Sequence, residues 1–70
     1  MEFRISVSEF NKSLLPFYYK RGLVGKQFIE VQEITAELGL QYKDATADWY
    51  YLFNIIDYEK FMLTKIKYGI

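Results

Sequence analysis

No cysteine occurs in this chain of 70 residues, so nothing covalent can hold the fold shut. A chain this short buries only about 60% of the surface its unfolded form exposes, and its stability must come from dense packing or self-association. The aromatic content, 20% of residues, supplies that packing, since each ring buries a large apolar area. The length leaves room for one domain, residues 1–70. Missing cysteines also remove thiolate metal sites and redox chemistry.

Residues 2–7 alternate polar and apolar, with Phe3, Ile5 and Val7 on one side, which predicts a short strand in need of a partner. Ser6 and Glu9 have capping-box spacing for a following helix, with Ile5 and Phe10 at the staple positions and Ser8 as an alternative cap. Phe10, Leu14, Phe17 and Tyr18 recur at helical spacing. Pro16 either kinks that helix or lies in the first turn of a second one beginning after Leu14. Gly22 stands at the expected C′ position after Lys20 and Arg21.

Gly22 and Gly25 mark a connection, and residues 28–31 suit a short strand or a first helical turn. A helix over about 31–38 buries Ile34 and Leu38 and ends at Gly39. Asp44 then caps a helix running to Ile56. At about 100° per residue, Leu52, Phe53 and Ile56 fall within about 60° of Trp49, with Ala45 beside them. For residues 57–68 the sequence offers two readings. A continued helix aligns Tyr58, Met62 and Ile66, with Gly69 as its C′ residue, but pushes Glu59 and Lys60 into the Trp49 stripe. A strand over 61–68 would pair with residues 2–7, and that need for a partner favours the strand.

The expected fold is therefore α+β and mostly helical, with a helix-turn-helix-like centre and short N- and C-terminal strands. The alternative is an all-α three-helix domain. Residues 31–52 resemble the helix-turn-helix and winged-helix pattern: Ile34, Leu38, Gly39 and Leu40 sit where that family places its first-helix apolar residues, its turn glycine and the residue after it. The resemblance implies a second helix in the DNA major groove. The sequence departs from it at Asp48, where the family places a buried aliphatic residue.

There is no histidine, the commonest general base and metal ligand, and the serines lack a neighbouring base. Asp44, Asp48, Asp57 and Glu59 match no metal-loop spacing, and Gly22 and Gly25 no phosphate cradle. No catalytic residue, metal ligand, cofactor or small-molecule substrate is expected. No apolar run reaches the roughly 20 residues of a membrane span, and the N-terminus lacks signal-peptide character, so a soluble, intracellular, cytoplasmic protein is expected.

What remains is binding. Trp49, Tyr50 and Tyr51 span about 200° of a helix and cannot share one small core. Tyr18, Tyr19, Arg21, Tyr50, Tyr51 and Ile55 form the candidate protein interface, from residue types enriched at hot spots. The expected function is a regulatory or accessory module, an inhibitor, adaptor or small viral protein, that docks on another protein or forms a homodimer. The alternative is a DNA-binding regulator using Lys20, Arg21, Lys26, Gln41, Tyr42, Lys43 and Thr46. Nine basic against nine acidic residues leave no net charge, which disfavours the alternative.

Overall fold

The N-terminal strand forms where the alternation places it. In the computed structural model, which describes residues 1–70, β1 spans Glu2–Ser6 and its partner is β3, Tyr50–Ile55. Ser6 ends β1 and caps α1, Val7–Ser13, its hydroxyl accepting from the Glu9 N–H at 3.1 Å. Pro16 resolves as a restart: α2, Leu15–Lys20, begins with the proline in its first turn, where no N–H is missed. The Leu23 and Gly22 amides then bond back to the Tyr18 and Tyr19 carbonyls, a Schellman ending at the glycine the sequence singles out.

The segment from Phe28 to Leu38 is one helical run broken into a 3-10 turn at Phe28–Val31, α3 at Gln32–Thr35 and a second 3-10 turn at Ala36–Leu38. Gly39 stops it at φ +77°. An added Cβ there would lie 2.5 Å from the Phe61 nitrogen and closer still to the Asp57 carbonyl. A glycine lets the chain pass this point without strain.

Here the structure overturns the expected architecture. No second helix of a helix-turn-helix follows Gly39. Residues 40–55 form a hairpin of β2, Leu40–Ala45, and β3. The C-terminal segment is not a strand but the longest helix, α4, Tyr58–Tyr68. The sheet is three-stranded and antiparallel in the order β1-β3-β2, so the all-α alternative is also excluded.

Two periodicities compete in residues 49–56, and the wrong one is equally visible. Trp49, Leu52, Phe53 and Ile56 suit a helix, while Tyr51, Phe53 and Ile55 suit a strand. Tertiary pairing decides, because β1 needs a neighbour for its backbone and β3 provides one along its whole length, from Glu2 opposite Asn54 to Ser6 opposite Tyr50. The hairpin turn gives no sequence signal. The Trp49 N–H reaches the Thr46 carbonyl across 3.4 Å, and Trp49 itself adopts φ +68°. That left-handed position in a three-residue hairpin loop belongs to glycine by preference, and here a tryptophan fills it. Asp44, expected to cap a helix, lies in β2 beside a bulge between Tyr42 and Asp44.

α4 is capped by the Asp57 carboxylate, which accepts from the Lys60 N–H at 3.1 Å, and ends at Gly69, φ +68°. It docks through Phe61, whose ring lies 4.9 Å from that of Phe3, and through Thr64, whose hydroxyl lies within donating distance of the Leu38 carbonyl at 3.0 Å and of the Lys60 carbonyl at 2.9 Å. All the helices cover one face of the sheet. The core between the layers holds Ile5, Phe10, Leu14, Tyr18, Val31, Leu38, Leu40, Phe53 and Phe61.

Candidate protein interface

The expected interface does not exist as one surface, because strand geometry sends neighbouring side chains to opposite faces. Tyr51 and Ile55 point into the helical layer and pack on the core, and the Tyr51 ring meets Phe10 and Phe28 edge-on at 5.1 Å each. Tyr50 lies on the other face, beneath the Arg4 guanidinium at 3.8 Å. Tyr18 is only 4% exposed. Its hydroxyl lies 2.8 Å from that of Thr35, which in turn lies 3.1 Å from the Val31 carbonyl. Burial raises the Tyr18 pKa, the Thr35 contact opposing it. Of the six candidates Tyr19 and Arg21 are exposed, Tyr50, Tyr51 and Ile55 are part-buried, and Tyr18 is buried.

The residues proposed for DNA are scattered as well. Tyr42 stacks on Phe28 inside the helical layer, with ring centroids 4.3 Å apart. Gln41 and Lys43 are on the open face of the sheet, Thr46 binds the hairpin turn through Asp48 and Tyr50, and Lys20, Arg21 and Lys26 lie in or after α2. The open face is closed upon itself. Lys43 pairs with Glu2, Arg4 with Asp48 at 3.1 Å, and Asn54 bonds to Gln41 at 3.5 Å. The Asp48 carboxyl is held below its ordinary range by the Thr46 hydroxyl first and by Arg4 in addition, and Glu2 is lowered by Lys43. Nothing on that face is left for a polyanion to neutralise without breaking a pair.

The unmatched surface is on α4. At about 100° per residue, Phe61, Thr64 and Tyr68 form its inner side. The opposite side carries Tyr58, Met62, Leu63 and Ile66, which are 59%, 37%, 67% and 77% exposed. The sequence contained this signal in the spacing of Tyr58, Met62 and Ile66, but which side faces outward depends on the docking of Phe61 and Thr64.

A groove runs along one margin of this stripe, between α4 and the ends of α2 and of the Ala36–Leu38 turn. Phe17, Leu38, Leu63 and Tyr68 supply its apolar lining, and Arg21, Glu37, Lys60 and Lys67 its charges. Arg21 grips Glu37 with both guanidinium nitrogens, at 2.8 and 2.5 Å, and lies over the Phe17 ring at 4.9 Å. The Glu37 carboxyl is lowered by Arg21 first, with a further contribution from Lys60. Lys60 and Lys67 are exposed and form no ion pair within the chain. No group of three acidic side chains converges where a cation could be held, and no helix is long and apolar enough to cross a membrane.

No family model, no curated protein and no solved structure matches the chain.

Proposed function

We propose that this chain is a small, non-enzymatic accessory protein, an inhibitor or adaptor, that works by docking the outer side of α4 on another protein. One observation carries the reading. α4 is apolar on both sides, and only one side has the core to cover it. Four large apolar side chains at adjoining helical positions form a contiguous patch rather than scattered surface hydrophobes, and such patches on small domains mark interaction sites. Their spacing, three to four residues apart, is that of the anchors an amphipathic helix presents to a partner.

Tyr58, Leu63 and Ile66 are each more than half exposed, so truncating them should cost the isolated fold little. Placing a photo-reactive benzophenone side chain at position 63 tests the reading directly, with position 11 on the exposed side of α1 as the control. Irradiation in a cell extract should join position 63 to a discrete polypeptide, and a Tyr58→Glu change in the same chain should remove the product. No product at position 63, or the same products from both positions, would refute the docking role.

A further inference from the structure

Resting on that docking role, the charges beside α4 specify the partner. We propose that the groove and stripe take an amphipathic helix of a different protein, apolar along its contact side and acidic along the margin that meets Lys60 and Lys67. α4 has 11 residues and so is about 16 Å long, which a partner helix of about three turns would match.

Basic side chains dominate the groove margin. Lys60 and Lys67 project along the groove margin, one helical ridge from Leu63, and Arg21 lies across the groove. Glu37 is the one acid in the groove, and Arg21 already holds both its oxygens. Two unpaired ammonium groups therefore face whatever fills the groove. A carboxylate margin on the partner would neutralise them, and partial burial there would strengthen the attraction over that in open water.

A second copy of the chain fits poorly. In a two-fold antiparallel pairing of α4 with itself, each margin of the helix meets the same margin of its mate. Lys60 then faces Lys67 of the mate, and the reverse. In a parallel two-fold pairing the basic margin meets the opposite one, which carries Lys65 and Tyr58 and no acid. Neither arrangement places a carboxylate on the margin that meets Lys60 and Lys67. A bilayer surface fits poorly as well, because Glu59 lies within the exposed apolar side, between Tyr58 and Leu63, and would enter the membrane with it.

Two designed 14-residue helical peptides provide the test, both with leucines at i, i+3, i+4 and i+7, one with glutamates and one with lysines on the margins. Each is titrated into isotope-labelled protein while its amide resonances are followed. The acidic peptide should shift residues 58–68 and Arg21 and bind at least ~10-fold tighter than the basic one at low salt, the advantage shrinking as salt rises. The Lys60→Glu/Lys67→Glu variant should reverse the preference, with unchanged resonances in the sheet showing that the fold is intact. Equal binding of both peptides at α4 would overturn the acidic partner and leave the docking role standing. Binding of neither peptide would overturn both. Shifts in α4 produced only by phosphatidylserine–phosphatidylcholine vesicles would overturn the inference in favour of a membrane surface. A concentration-dependent dimer mass that Ile66→Glu abolishes would overturn it in favour of self-association.

Discussion

Replacing Gly39 with alanine should be among the most damaging single-methyl changes in this chain, and the structure separates two reasons. Gly39 has φ +77°. An L-residue held in the left-handed region costs about 1–2 kcal/mol. The second reason is contact. The new methyl would lie 2.5 Å from the Phe61 nitrogen and closer to the Asp57 carbonyl oxygen. Those are backbone atoms of the first turn of α4, so no side-chain rotation relieves the overlap. The start of α4 must move, which strains the Gly39 carbonyl's bonds from the Ile56 and Asp57 amides, at 2.9 and 3.3 Å. Overpacking of this kind costs about 1–3 kcal/mol, giving a total of about 2–5 kcal/mol. A domain of this size has roughly 4–10 kcal/mol in all, so the melting temperature should fall by at least ~10 °C. Gly69→Ala is the control. Its φ is +68°, yet an added Cβ there meets nothing within 4 Å. It should pay the conformational cost alone. Urea unfolding followed by circular dichroism measures both variants. If the two cost the same within about 0.5 kcal/mol, the close approach of α4 to Gly39 is not a feature of the folded protein and the argument fails.

Two further predictions concern buried polarity and the sheet edge. Burial raises the folded-state pKa of Tyr18, so the stability that this group provides is complete below its ordinary value near pH 10 and is lost as pH rises through the folded value. Urea midpoints measured from pH 7 to 11 should fall at the alkaline end. Tyr18→Phe should flatten part of that fall, at a cost near neutrality of about 1 kcal/mol for the lost Thr35 contact; an unchanged alkaline slope would contradict the assignment. Gln32 seals the outer edge of β2, its amide oxygen accepting from the Tyr42 N–H at 3.1 Å and its nitrogen donating to the Tyr42 carbonyl at 3.3 Å. Gln32→Ala leaves that edge free for another strand, and light scattering at raised concentration should show association that the parent lacks. Identical scattering from both would mean that the edge is protected by something other than this side chain.

Much of the local punctuation was legible before any fold was known. The alternation of Phe3 and Ile5, the Ser6 cap, the break at Pro16 and the helix stops at Gly22 and Gly39 stand where the sequence puts them, whereas Val7 opens α1 instead of ending the strand and the Glu9 carboxylate accepts from Ser13 rather than closing the capping box. The interface residues were less legible. Tyr50, Tyr51 and Ile55 share a side only if residues 44–56 are helical, so the error in the element carried straight into the site. Tyr58, Met62 and Ile66 form a visible helical line, but the sequence sets against it a stripe around Trp49 that the folded chain does not form.

What the sequence by itself determined is what depends on nearest neighbours: caps, stops and the alternation of β1. A cap is one side chain meeting an amide three residues away, as Asp57 meets Lys60 at 3.1 Å, so it is written locally. What only the tertiary structure decided is the state of residues 40–68. β3 is a strand because its backbone groups pair with β1, more than forty residues earlier, and with β2 across a turn that carries tryptophan at the glycine position. With β1 satisfied by β3, the C-terminal segment need not be a strand and folds as α4. Strand pairing is non-local while helix hydrogen bonds are local, so a segment with both periodicities is settled by the partner available to it. The outward side of α4 follows in turn, because Phe61 and Thr64 take the inner positions against Phe3 and Leu38.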